Sequence, residues 1–467
     1  MNMPDLAERL REFVEAAQPA VTMDEVKETV NRHHLGDRLT PMPAYFVLVP
    51  VLVLVLVLAI AVPILVIGGG SNNAAKIAGT GTQPRWALAV DSEQPWQVRG
   101  SANPGSYSLV CPTQSDCYAT SPSSITNTEP SGVVEVSKDG GNSWHSSLVA
   151  SAGSDLSGLT CPSAQTCMVT GQDLASDNLG VTMFTTNDGG ATWTHQAIAG
   201  GSLGSSLLSC SSATQCVATT SEPGPGGLGE QDVAIVTSDG GVHWVTVPFP
   251  GTFRPYALGC TPGGACVAVG QSPSNYIIVG GASIHGSGTA LFSDDGGLTW
   301  QKGQIPTADT LTSLSCADPL HCMAVESTQT LAGSPDLAAG PLTDTFISTR
   351  DGGKTWTRTP GNEPEQWSLG AISCATALHC WATGALHAPG ATLRSVSDWQ
   401  GLVLATDDGG QTWHSVELPQ FDGVPITTVA SLSCPDSTTC FGLAYDPTSP
   451  PGQGQHQLVL VSRVQSS

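Results

Sequence analysis

One eight-residue phrase occurs six times in this chain, and no other feature restricts the fold as strongly. It reads SKDGGNSW at 137–144, TNDGGATW at 186–193, TSDGGVHW at 237–244, SDDGGLTW at 293–300, TRDGGKTW at 349–356 and TDDGGQTW at 406–413. The repeat length is about 50 residues, with strand-like runs on either side, which is the pattern of propeller blades and not of one compact core. Within each phrase the glycine pair admits backbone angles that a Cβ forbids, so a tight turn between two strands is expected. The aspartates, Asp139, Asp188, Asp239, Asp295, Asp351 and Asp408, are expected to accept backbone N–H groups inside that turn, with the preceding Ser or Thr hydroxyl adding a further bond. The Trp five residues on would pack the turn onto the sheet. Calcium ligation or acid catalysis by these aspartates is the competing reading, and sixfold repetition favours structure.

Ahead of each phrase, and once more after the last, stands a pair of cysteines with five residues between: Cys111 and Cys117, Cys161 and Cys167, Cys210 and Cys216, Cys260 and Cys266, Cys316 and Cys322, Cys374 and Cys380, Cys434 and Cys440. All 14 cysteines are used. The intervening residues are turn formers, so each pair sits across a hairpin where a disulfide can close. Zinc would need four ligands, and no histidine partner is repeated from blade to blade through the seven pairs. Disulfides are therefore expected, and with them an oxidising compartment. No motif suggests a metal or a cofactor.

The phrase S/T-x-D-G-G-x-T-W resembles the Asp-box (BNR) repeat of sialidases, sortilin-type receptors, xyloglucan-degrading glycosidases and the photosystem II assembly-factor family. The resemblance spans roughly residues 85–467 and implies a propeller in which the Asp box is a turn remote from the ligand. Each blade should run strand A, Cys turn, strand B, loop, strand C, Asp box, strand D. The expected fold class is all-β: a seven-bladed β-propeller with one disulfide hairpin per blade, with eight blades as the alternative, preceded by a single transmembrane helix and a short helical cytoplasmic segment. Asp91 and Trp96 keep the Asp-to-Trp spacing of the box. Residues 96–99 are therefore expected to supply strand D of the last blade, while 85–90 is a strand without an assigned place.

Residues 44–67 carry no charge and are mostly Val and Leu. At about 1.5 Å per residue they are long enough to cross a bilayer core. Arg32 and Arg38 precede them and only Lys76 follows closely, which puts the N-terminus in the cytoplasm and the propeller outside. A cleaved signal peptide would have a shorter apolar run and a shorter leader. The expected organisation is a cytoplasmic segment of two short helices (1–43), a signal-anchor helix (44–67), a linker (68–84) and an extracytoplasmic propeller (85–467). No N-x-S/T sequon occurs, in keeping with a bacterial protein. A cytoplasmic partner for residues 1–43 is a further expectation.

Beyond residue 67 the chain holds 11 Lys+Arg against 31 Asp+Glu, which opposes binding to nucleic acid. In an A–B–C–D blade the Cys turns and Asp boxes share one face, and the B–C and D–A loops share the other. On that open face the longer loops of the later repeats would raise a rim carrying Tyr276, His285, His387, Arg394 and Trp399. Arg254 and Tyr256 lie near the channel. These seven are the candidate ligand-binding residues, for a protein, peptide or glycan. His321 and His379 fall in Cys turns on the opposite face.

The segment Phe253-Arg254-Pro255 resembles the Phe-Arg-x-Pro start of sialidases, but its proline is one position early and the arginine cluster is lacking. A binding, scaffold or assembly-factor-like module is the leading expectation. A cell-surface glycoside hydrolase is the alternative, in which two carboxylates such as Asp155, Asp336 or Asp398 would face each other across the open side.

Overall fold

The computed structural model describes residues 85–88, 108–120, 132–149, 156–172, 181–198, 207–224, 230–272, 278–279, 282–283, 287–306, 309–327, 344–359, 367–387, 399–426, 428–445 and 457–463. These residues form antiparallel four-stranded sheets and two short two-stranded ribbons. Six of the sheets are each built from one stretch of chain, at 109–148, 156–197, 208–248, 254–302, 310–358 and 367–416, with its own Cys turn and Asp box; the fourth carries a two-stranded ribbon between its second and third strands.

The chain's sheet interiors follow its burial needs. Strands B and C lie between neighbouring sheets, so both of their faces are covered. Cys117–Thr120 and Val133–Ser137 are buried at every position. Strand D is the outer edge, and His145–Leu148 and Thr194–Ala197 are largely exposed. The apolar clusters lie between sheets and not within them. One joins Tyr118, Val134 and Val136 to Leu156, Val169 and Phe184 of the next blade. Another joins Phe441 and Leu443, near the C-terminus, to Leu109 and Ala119 of the first blade, so the ring closes on itself.

A second ring of contacts runs through the inner strands. The residue before the first cysteine of a turn is often Ser or Thr, and its hydroxyl accepts the amide of the first cysteine in the next sheet. Ser209 takes the Cys260 amide at 2.8 Å, Ser315 that of Cys374 at 2.9 Å and Ser373 that of Cys434 at 3.0 Å. Ser433 takes the Cys111 amide at 2.8 Å, across the closure.

The expected fold class is corrected on three points. Among the described residues the blades complete in themselves number six, not seven: six sheets carry their own Asp box and the last does not. The remaining four-stranded sheet is a composite seam, with Val429–Asp436, Thr439–Tyr445 and Gln457–Arg463 completed by Arg85–Leu88 from the other end of the chain. Second, the closing strand is therefore Arg85–Leu88, which pairs with Arg463 through Leu460; the segment 96–99 expected in that place lies outside the described residues. Trp86 stands on this closing strand. It is buried against Trp381 of the sixth blade, edge to face at 5.5 Å between ring centroids. Third, the described residues contain no helix, and none long and apolar enough to cross a membrane. The expected helices of 1–43 and 44–67 lie outside the described residues.

Candidate ligand-binding face and the opposing Asp-box face

The two ends of the strands differ in chemistry, and the Asp-box end is the more regular. All seven cysteine pairs are bridged, each across a hairpin with Cα atoms 4.0–4.1 Å apart. In each box the Ser or Thr hydroxyl donates to the Asp carboxylate two residues on, as from Thr349 to Asp351 at 2.8 Å, and accepts the amide of the second glycine, as from Gly353 at 3.0 Å. The other carboxylate bonds come from the residue before the Trp. The Thr355 amide donates to Asp351 at 2.9 Å and its hydroxyl at 2.6 Å. Both box glycines have positive φ throughout, 75° and 92° at Gly352 and Gly353. The first glycine's amide then reaches the Cys turn of the same blade, as from Gly352 to the Leu320 carbonyl at 3.0 Å. Cys turns and Asp boxes therefore share a face.

These bonds hold the box carboxyls in their charged form. The Thr192 hydroxyl and amide, with Thr186, lower Asp188 to about 2. The His243 amide, followed by its ring, lowers Asp239 to about 2. At Asp295, Asp351 and Asp408 partial burial pushes upward, but the threonine hydroxyl and amide outweigh it and the net direction is down. A folded pKa below the unfolded value gives stability that is present above about 4 and lost as pH falls through the folded value. The ring is therefore expected to stay native at pH 4 and to lose its far-UV circular dichroism between about pH 4 and 2. Asp188→Asn should lower the melting temperature at pH 7, with the gap to the parent closing below pH 2. A gap that is constant across this range would contradict the assignment.

At the open end, Arg254 and Tyr256 begin the innermost strand of the fourth blade, Arg254–Cys260, and both are exposed. Phe253 before them is buried against Phe249 at 5.2 Å, which anchors the strand's start. A bulge between Pro255 and Ala257 breaks the register there, and similar bulges occur in strand A of four other sheets. Bulges re-aim side chains at the rims of sheets. They need room on the neighbouring strand: a Cβ on Gly270 would stand 2.0 Å from the Arg254 carbonyl oxygen. The Tyr256 hydroxyl accepts a bond from Gln271 Nε2 at 2.8 Å, and Gln271 Oε1 accepts from Thr310 of the next blade at 3.4 Å. Sequence reasoning missed Gln271 and Thr310, which stand at the ends of strands of ordinary composition.

The remaining sequence candidates are placed unevenly. His387 and Trp399 are register partners at the open end of the sixth blade. Tyr276, His285 and Arg394 lie outside the described residues. Two carboxylates that the sequence did not single out stand at the open end of the fifth blade. Glu326 is fully buried and takes Arg358 through Nε at 3.0 Å and Nη2 at 2.5 Å, with the Thr345 hydroxyl at 2.8 Å. Asp344, also buried, accepts from Ser327 at 2.9 Å and from the Leu369 amide of the next blade at 2.6 Å. Both are tied into the scaffold. On the opposite face, His321 and His379 bond within their own turns, to Asp318 at 2.8 Å and to Thr376 at 2.8 Å. No cluster of metal-ligating side chains occurs among the described residues.

The family model for the BNR/Asp-box repeat matches residues 291–302, which cover the fourth box. The chain carries BNR/Asp-box repeats. No curated protein matches the sequence. Among solved structures, the chain is similar to YCF48 bound to a D1 peptide, at 14% identity over 81% of this chain and 98% of that one, with a TM-score of 0.47. It is also similar to the GH74 enzyme of Niastella koreensis, at 12% identity over 75% and 64%, TM-score 0.40. A PL25 ulvan lyase bound to a GlcA–Rha3S glycan matches at 11% identity over 68% and 83%, TM-score 0.43.

Proposed function

We propose that this protein is a binding or scaffold module, assembly-factor-like in its role, whose BNR/Asp-box propeller takes a protein, peptide or glycan ligand on its open face. The observation that carries this reading is the state of the polar groups there. Arg254 and Tyr256 are exposed at the inner rim, while the buried carboxylates Glu326 and Asp344 are committed to Arg358, Ser327, Thr345 and the Leu369 amide. Glycoside hydrolysis by the usual route needs two carboxylates free to act across a cleft; among the described residues Glu326 and Asp344 are already bonded, Glu222, Glu230 and Asp232 belong to one hairpin of the third blade, and Asp155, Asp336 and Asp398 lie outside the described residues. Binding needs only an aromatic and polar rim. The apolar, uncharged run at 44–67 supports attachment to the cell membrane, and the flanking arginines together with the seven disulfides support an extracytoplasmic propeller with the N-terminus in the cytoplasm.

The test is to express residues 72–467 in an oxidising host and screen the purified product on a glycan array, with glycosidase substrates in parallel. Binding without turnover is expected. If no glycan is retained, crosslinking in the native membrane should capture a protein partner that Trp399→Ala loses. Turnover that disappears on replacing one open-face carboxylate would overturn the reading in favour of a hydrolase.

A further inference from the structure

Pseudo-symmetry of the blades allows one junction to be compared with another, position by position. Between the first and second blades, on the Asp-box face, the gap is closed by Tyr118, the residue after the second cysteine. Tyr118 is fully buried, its hydroxyl donates to the Ala164 carbonyl of the next Cys turn at 2.7 Å, and Lys138 Nζ donates to that hydroxyl at 2.7 Å. Lys138 in turn pairs with Asp116 at 3.2 Å.

Between the fifth and sixth blades the same positions are filled differently. Met323 replaces Tyr118, Arg350 replaces Lys138 and His321 replaces Asp116, while Ala377 keeps the place of Ala164. A cleft of about 120 Å³ is open there, and Met323, Arg350, Ala377 and His321 line it. A closed cavity of about 150 Å³ holds a benzene ring, so this smaller but open cleft would seat a phenol with part of its ring outside. Losing Asp116 also removes the acid that holds the cation at the first junction, and Arg350 is exposed with no ion-pair partner among the described residues. At the second junction Met168 also stands in the tyrosine's place, but Asn187 replaces the cation. Only the pairing of an open cleft with a cation reproduces what a phenol meets at the first junction.

We propose that the cleft between the fifth and sixth blades is a binding site for a tyrosine side chain of a partner polypeptide, with the ring over Met323 and the hydroxyl between the Ala377 carbonyl and the Arg350 guanidinium. The occupant supplies in trans what Tyr118 supplies in cis. The site is on the face opposite to Arg254 and Tyr256 and stands whether or not the open face binds a ligand.

The test uses the full chain, with p-cresol and N-acetyltyrosinamide as probes and N-acetylphenylalaninamide for comparison. Saturable p-cresol binding is expected, with Kd on the order of 1 mM, within what so small a ligand reaches. Crystals soaked in p-cresol should show the ring in the cleft. Met323→Tyr should refill the cleft from within and abolish binding. Arg350→Met, an exposed change that leaves the packing alone, should weaken it about tenfold and reduce the preference for tyrosine over phenylalanine, the Ala377 carbonyl being left as the hydroxyl's acceptor. Absence of saturable binding to the parent, or binding that Arg350→Met leaves unchanged, would overturn the proposal.

Discussion

Reduced and alkylated, the protein will be unfolded at 25 °C, and this is the largest effect expected of any single treatment. Each bridge closes a loop of only five intervening residues, so the loop-entropy account gives about 2 kcal/mol per bridge. Seven such terms together reach roughly the whole net stability of a typical domain, about 5–15 kcal/mol. The terms should accumulate, because each constrains its own hairpin. The bridges are also part of the inter-sheet packing: Cys210 and Cys216 stand with Met168, Met183 and Ile235 between the second and third blades. The measurement is to reduce and alkylate in denaturant, dilute into native buffer and follow tryptophan fluorescence and near-UV circular dichroism. A cooperative thermal transition in the alkylated chain would contradict the prediction. The double replacement Cys210→Ser, Cys216→Ser should cost about 2 kcal/mol and leave the ring folded.

The cysteines and Asp boxes were legible in the sequence because each uses chemistry confined to a few adjacent residues. A five-residue spacer beside turn formers dictates a hairpin wherever the chain goes. A glycine pair flanked by a hydroxyl and a carboxylate dictates one turn, and the same bonds recur at Asp139, Asp188 and the rest. The closing strand was not legible, because its partner is far along the chain. Asp91 and Trp96 imitate the local box spacing, whereas Arg85–Leu88 is chosen by pairing with Gln457–Arg463 and by the space for Trp86 beside Trp381. Ser before Cys is equally plain in the sequence at 209, 315, 373 and 433, but its purpose is a bond to another sheet.

The candidate site was legible only in part, for a related reason. Arg254 and Tyr256 follow directly from where a strand A must begin. Gln271, which ties Tyr256 to the fifth blade's Thr310, is an unremarkable residue at the end of a strand B. The cleft beside Met323 is invisible until the blades are superposed in register. It is defined by what Tyr118 occupies elsewhere, and no residue within it announces a function alone.

Trp86→Ala is expected to destabilise the ring by about 3–5 kcal/mol, the range for removing a large aromatic from a packed core. The side chain is buried in one cluster with Trp381, Val403 and Ala405 of the sixth blade and Val429, Leu432 and Ala444 of the closing sheet. It thus holds two sheets together as well as its own strand. The strand it belongs to makes only four residue pairs with its neighbour, Arg85 to Arg463 through Leu88 to Leu460, so little else keeps it in place. Loss of the tryptophan should release that strand and leave Gln457–Arg463 as an unpaired edge, which is a template for association with other chains. Urea denaturation gives the change in stability. Hydrogen exchange gives its location: the amides of 457–463 should lose protection first, ahead of those in the six complete blades. Trp144→Ala, at a partly buried box position in the first blade, is the comparison and should cost less. If Trp86→Ala costs no more than Trp144→Ala, or if protection falls uniformly around the ring, then the seam is not where the ring opens, and closure rests on the contacts of Ser431 and Ser433 with the first blade's inner strand at 3.2 and 2.8 Å.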